Sequence, residues 1–163
     1  MPERYSESYM RNHCIDVFFR YKDIPIHVLT CGNLLPYPLN DLARNRKIQQ
    51  QQAIRLEQIE ERGGFRNEIR AQESYINYIR HQEQNAHHEY NQEDFTSWFL
   101  PYAELGYYTY DCIEFNDVES LFRLVAIPKE MVDDYRELPV YDNLNVLNYL
   151  DDGKTPESFL WSH

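Results

Sequence analysis

The sequence predicts an α+β fold in which two β-hairpins form a small antiparallel sheet, with a long helical hairpin inserted between them and short helices covering the sheet. Residues 14–30 and 107–127 each contain two stretches in which apolar and polar residues alternate, as in half-buried strands. The segment between them has helical spacing. Aromatic residues make up 15% of the 163 residues, which indicates a packed core rather than intrinsic disorder. We expect a single domain, with residues 1–13 as an N-terminal arm.

The first hairpin is predicted over residues 14–30. Apolar residues occupy alternate positions on both sides of a short loop: Ile15, Val17, Phe19, Ile24, Ile26 and Val28. Pro25 has no N–H to donate to a neighbouring strand. The second strand is therefore expected at a sheet edge, or to begin after Pro25.

The helical hairpin is predicted over residues 39–90. Asn40 and Asp41 are candidate N-caps, and Gly63 and Gly64 are expected to stop the first helix. A chain that folds back at these glycines gives two antiparallel helices. A straight helix through both glycines is the alternative, at a cost of about 1 kcal/mol for each glycine. The apolar seam of the first helix is amide-rich in its middle, so these helices are expected to depend on packing elsewhere.

The C-terminal half is predicted to begin with a short helix, which Pro101 would kink or end and Gly106 would close. The second hairpin follows over residues 107–127. Residues 129–163 form an acidic C-terminal segment with weaker signals, among them a brief helix after residue 128 and a helix start at residues 155–156.

The charge is concentrated near the C-terminus. The net charge is −11, and residues 91–163 hold fifteen acidic against four basic residues, so this segment carries the whole imbalance. A field of one sign repels nucleic acid and favours cationic partners. Two interpretations remain open: a solvated acidic surface, or a face that docks a basic partner or mimics the charge of nucleic acid.

The three cysteines, Cys14, Cys31 and Cys112, are widely spaced and include no C-x-x-C pair. This pattern indicates neither a zinc site nor a disulfide framework, so reduced thiols are expected, as in the cytosol. The N-terminus has no apolar signal-peptide core, and no apolar run has the length that a bilayer needs. We therefore expect a soluble protein made in the cytoplasm.

No catalytic or cofactor-binding pattern is found in the sequence. His81, His87 and His88 lack the i, i+4 spacing of a helical metal site, which favours a solvated helix end. A nucleophilic pair of Cys31 with His27 or His13 has no local support. No glycine-rich loop could cradle a phosphate. The prediction is a non-enzymatic protein without a metal, a cofactor or a nucleic-acid partner.

The surplus of aromatic residues is the strongest sign of an interaction surface. About half of them are expected to pack in the core, and the remainder would form an exposed patch typical of assembly. The candidate interface residues are Phe95, Trp98, Tyr102, Tyr107, Tyr108, Tyr110, Tyr75, Tyr78 and Trp161, with the acidic residues Asp133, Asp134, Asp151 and Asp152.

Two segments, IDVFFRYKDIPIHVLTCGNLLP and LPYAELGYYTYDCIEFNDVESLFRLVAIP, resemble a small virion-associated protein of crAss-like tailed bacteriophages, which infect gut Bacteroidales. The resemblance covers about 50 of the 163 residues. It implies a structural part of the virion, such as a ring protein of the portal–tail connector or an auxiliary capsid protein. Its implied partners are further copies of itself and portal or tail proteins. It implies no catalytic residue.

Two other functions compete with a virion component. The acidic segment is also consistent with a small inhibitor, such as an immunity or anti-defence protein, that occupies a basic cleft of its target. A metal- or thiol-dependent enzyme is the third hypothesis.

Overall fold

In the computed structural model, which describes residues 3–61, 70–71 and 92–163, β-strands form one sheet and α-helices pack against it. The α+β prediction is confirmed. The helices are α1 (Glu7–Asn12), α2 (Leu42–Glu61) and α3 (Gln92–Leu105). The strands are β1 (Cys14–Tyr21), β2 (Ile24–Cys31), β3 (Arg70–Ala71), β4 (Tyr108–Phe115), β5 (Glu119–Ile127), β6 (Asn145–Tyr149) and β7 (Pro156–Ser162).

The sheet is mixed, so the prediction of a small antiparallel sheet is wrong. The strand order is β1-β2-β4-β5-β7-β6, with β3 paired to β5 beside this path. The neighbours β2 and β4 are parallel, whereas the other pairs are antiparallel. The connection from β2 to β4 contains α2 and α3, and a crossover of this kind is what parallel pairing requires. Residues 14–30 and 107–127 do share one sheet, as predicted.

Pro25 lies inside β2, which has neighbours on both sides, so both predicted alternatives, a sheet edge and a strand that begins after Pro25, are wrong. The pairing of β2 with β4 begins at Ile26. Because Pro25 comes one residue before that ladder, its missing N–H leaves no gap in it.

Helix α2 covers the outer edge of β1, and this explains the amides in its seam. The Asp41 side chain accepts a hydrogen bond from the backbone N–H of Arg44 at 3.1 Å, so Asp41 caps the first turn as predicted. Asn45 and Gln49 donate from their side-chain amides to the backbone carbonyl of Asp16 at 3.1 and 2.9 Å. An edge carbonyl that lacks a strand partner is satisfied in this way.

The second predicted helix does not run through Arg70–Ala71, because these two residues form β3 and pair with β5. The rest of that helix, and the glycine pair at residues 63–64, lie outside the described residues.

The C-terminal segment completes the sheet instead of forming short helices. The predicted helix after residue 128 is only a 3-10 turn at Tyr135–Glu137. The predicted helix start at residues 155–156 is the beginning of β7, which pairs with β5. Phe159 and Trp161 of β7 are fully or almost fully buried. The buried Phe159 and Trp161, with the less buried Leu160 between them, are the strand signal that the Thr-Pro pair obscured.

The main core is rich in aromatic residues on the face of the sheet that α3 does not cover. The Phe122 ring lies 4.4 Å from the Trp161 ring and 5.1 Å from that of Phe159, between centroids. The Tyr110 hydroxyl donates to the backbone carbonyl of Pro156 at 2.6 Å. Buried aromatic rings of this size contribute much of a small domain's stability.

A disulfide bond joins Cys14 to Cys31, so the prediction of reduced thiols is wrong for these two residues. The turn between β1 and β2 consists of Lys22 and Asp23, and the resulting register places Cys14 opposite Cys31 at the open end of the hairpin. Lys22 adopts a φ of 52°, and its N–H donates to the Asp142 carboxylate at 2.8 Å. Cys112 is a free cysteine.

Gly106 ends α3, as predicted, and only glycine fits there. Its φ is +109°, in the left-handed region. A Cβ at this position would lie 2.2 Å from the backbone nitrogen of Val132. The Gly106 carbonyl accepts a hydrogen bond from the same nitrogen at 3.1 Å, which fixes the segment after β5 against the end of α3. Pro101, in contrast, does not end α3.

Candidate functional site

Asp16 lies at the junction of β1, β2, α2 and α3. Two clefts open at this point, and both are lined by Cys14, Asp16 and Tyr102. One cleft is apolar and the other is polar. Because the Asp16 side chain is 33% exposed, its carboxylate is accessible from solvent.

The carboxylate of Asp16 is held by two neighbours. Its Oδ1 lies 2.7 Å from Nε2 of His27, and its Oδ2 accepts a hydrogen bond from the Tyr102 hydroxyl at 3.3 Å. The Tyr102 ring stacks on the His27 ring, with 3.9 Å between centroids. Burial, with a smaller contribution from Asp16, raises the pKa of Tyr102, so its hydroxyl remains a donor at neutral pH.

The His27 ring is enclosed. It is 0% exposed and also contacts Phe18 and Phe99, with 5.1 and 6.3 Å between ring centroids. In the described part of the chain, its Nδ1 has no hydrogen-bond partner. This arrangement suits an uncharged ring that donates from Nε2 to Asp16, since a charged ring would leave a second buried N–H without an acceptor.

The residues around His27 resemble a catalytic triad only in composition. The strand register places Thr109 beside His27, and Asp16 is on the other side of the ring. Thr109, like His27, is 0% exposed. A substrate cannot reach either group without unfolding the sheet, so His27 and Thr109 are not suited to act as base and nucleophile.

The apolar cleft has a volume of about 420 Å³. Besides the three shared residues, it is lined by Leu29, Leu56, Trp98 and Pro101. The Trp98 side chain at its rim is 50% exposed. Exposed large apolar side chains beside a groove are typical of surfaces that bind another protein.

The polar cleft has a volume of about 330 Å³ and lies on the other side of Asp16. Its lining includes Arg46 and Gln49 from α2, and Tyr5 and Tyr9 from the N-terminal arm. Among the described residues, no ion pair joins Arg46 to Asp16. Arg46 is exposed, so water screens its charge.

Of the predicted aromatic interface residues, Tyr107, Tyr110 and Trp161 are core residues with exposures of 0%, 0% and 1%. Their assignment to an interface is therefore wrong for this fold. Tyr110 and Trp161 are buried because the sheet has more strands than predicted, whereas Tyr107 packs in a cluster with Phe18, Ile48, Val132 and Leu138. Trp98 is exposed, and Tyr102 and Tyr108 are half-buried.

The predicted acidic residues have separate roles. Asp134 accepts from Arg55 of α2 at 2.6 Å, so it is already paired within the chain. Asp152 accepts hydrogen bonds from Thr155 and from the backbone N–H of Lys154, and these bonds lower its pKa. The remaining two, Asp133 and Asp151, are exposed.

Tyr75, Tyr78 and the Phe95 side chain lie outside the described residues, as do His81, His87 and His88.

Among the residues that the structure does describe, no group of three or more His, Cys, Asp or Glu side chains could hold a metal ion. Likewise, none of the described helices is long and apolar enough to cross a membrane.

The sequence did not point to Asp16 as a site residue. The pattern that could have revealed Asp16 is the alternation of β1, which places Asp16 on the same face of the sheet as Phe18. The register of β2 then places His27 on that face as well. A carboxylate on an apolar face needs a partner, and that requirement would have singled out the pair.

The chain matches no known protein family, no curated protein and no solved structure.

Proposed function

We propose that this protein is a non-enzymatic structural component that assembles through protein–protein contacts, with Trp98 as an anchor of one contact. The observation that supports this most directly is the contrast between the two tryptophans. Trp161 is 1% exposed, whereas Trp98 is half exposed at the rim of an apolar cleft. Tryptophan is enriched among the few residues that dominate the binding energy of interfaces.

A second exposed apolar surface supports assembly in rings. Strand β6 ends the strand order of the sheet, and on it Leu147 is 52% exposed and Tyr149 is 43% exposed. A head-to-tail contact between this surface and a different surface of the next copy would close into a ring when the rotation permits. An open strand edge also offers backbone groups to a neighbouring chain.

We further propose that the assembly is a phage virion, with this protein as a ring or connector component at the portal–tail junction. The proposal is supported by the sequence resemblance, which implies that copies of itself and portal or tail proteins are its partners. The disulfide between Cys14 and Cys31 is consistent with a particle that persists outside the reducing cytosol.

The experiment is a native mass measurement of the full chain, alone and mixed with purified portal and tail proteins of a crAss-like phage. We expect an oligomer or a stoichiometric complex that Trp98→Ala weakens at least about tenfold, the effect of removing a hot-spot residue. Val118→Ala is the matched control, because Val118 is 65% exposed in the turn between β4 and β5. A monomer at every concentration, with no complex, would contradict the proposal.

A small acidic inhibitor is the second candidate function, and the exposure of Asp133 and Asp151 favours it. Its test is salt dependence: a complex with a basic nuclease should weaken steeply with ionic strength and on charge reversal of these two residues. A complex that both changes leave intact would exclude this function.

A further inference from the structure

We propose that the apolar cleft beside Trp98 binds an arginine or lysine side chain from a basic segment of a different protein, with the Asp16 carboxylate as its charge partner. This inference rests on the proposed function, because it names the chemistry of one partner at the same surface.

The walls of the cleft suit a long side chain with a charged end. Leu29, Leu56 and Pro101 provide apolar surface for a methylene stem. Trp98 and Tyr102 provide aromatic rings, which attract a guanidinium or ammonium group placed over them. A cleft of about 420 Å³ accommodates such a side chain with part of its backbone.

Asp16 is the group that selects a cation. Its hydrogen bonds to His27 and Tyr102 leave lone pairs free, since a carboxylate offers about four acceptor sites. In the described part of the chain, no arginine or lysine forms an ion pair with Asp16.

The charge of the chain favours a different protein over a second copy as the source of that cation. Each copy carries a net charge of −11, so two copies repel each other before their surfaces meet. A basic segment is attracted by the same field and is guided towards the cleft. Contacts between copies would then use other surfaces, such as β6.

The experiment is an NMR titration of the full-length chain, with its disulfide intact, using blocked pentapeptides of alanine with a central arginine or a central citrulline. Citrulline has nearly the shape of arginine without its charge. We expect the arginine peptide to bind at least about tenfold more tightly, as for one charge-assisted hydrogen bond. The largest shifts should be at Leu29, Trp98 and Tyr102.

Two isosteric variants test the role of Asp16. Asp16→Asn keeps an acceptor for His27 and should abolish the preference for arginine. Asp133→Asn, which removes an exposed charge elsewhere, should preserve it. The comparison of the two peptides on the wild-type chain requires no variant, so it holds even if Asp16→Asn unfolds.

The outcomes separate this inference from the proposed function. Equal affinity for both peptides, or shifts at the acidic C-terminal segment instead of the cleft, would overturn the inference. If neither peptide binds but assembly still depends on Trp98, the cation is wrong and the proposed function stands. If neither peptide binds and Trp98→Ala also leaves assembly unchanged, both are wrong.

Discussion

Removal of the Cys14–Cys31 disulfide is the perturbation whose effect the structure defines best. The bond joins residues 17 apart in the chain, at the open end of the β1–β2 hairpin. Closing a loop of this length in the unfolded chain lowers its entropy enough to stabilise the native state by about 3 kcal/mol. Both cysteines are exposed, so serine at each position costs little packing.

The assay is thermal unfolding of the Cys14→Ser/Cys31→Ser variant, followed by circular dichroism. For a chain of this size, about 3 kcal/mol corresponds to a decrease of roughly 6–12 °C in the unfolding temperature. Dithiothreitol should lower the unfolding temperature of the wild type by the same amount and leave that of the variant unchanged. Cys112→Ser is the control, because Cys112 is a free thiol whose pKa burial raises to about 12.

A thiol count gives the result that would refute this reasoning. The unreduced, denatured wild type should expose only the thiol of Cys112 to a thiol reagent. Detection of all three thiols, with an unfolding temperature that dithiothreitol does not change, would show that the hairpin is not cross-linked.

Three further perturbations have expected results of different kinds. Trp161→Ala should lower the free energy of unfolding by about 3–5 kcal/mol in chemical denaturation, because it empties the centre of the aromatic core, and an unchanged denaturation midpoint would contradict that placement. Gly106→Ala should prevent accumulation of folded protein, since its Cβ would overlap the backbone of Val132. If the variant unfolded cooperatively at the same temperature as the wild type, that result would contradict the observed end of α3. Asp152→Asn should reduce the loss of stability on acidification: the folded pKa of Asp152 is lowered, so its contribution is present above the unfolded pKa and disappears as the pH falls through the folded value. Parallel pH profiles for wild type and variant would exclude that contribution.

The strand segments could be predicted from the sequence because alternation is a local signal. Residues 14–30 and 107–127 show it plainly, and both lie in the sheet. The parallel pairing of β2 with β4 could not be predicted, since it depends on where a long crossover returns. Strand β7 was missed because the Thr155-Pro156 pair has the chemistry of a helix start, whereas tertiary pairing with β5 decided the outcome.

The disulfide could have been predicted from the turn. A two-residue turn at Lys22 and Asp23 pairs Tyr21 with Ile24, and counting outward along both strands pairs Cys14 with Cys31. The separation of the cysteines in sequence concealed their proximity in space. The Trp98 cleft is different: Leu29, Leu56 and Trp98 come from a strand and two helices, so their convergence depends on the whole fold.

Acrylamide quenching of tryptophan fluorescence, in the isolated chain and in the assembled state, tests the role of Trp98 most directly. The chain has two tryptophans, of which Trp161 is buried and Trp98 is half exposed. We expect one quenchable component in the isolated chain and its loss on assembly. A component that stays equally accessible in the assembly would mean that Trp98 is not part of the contact.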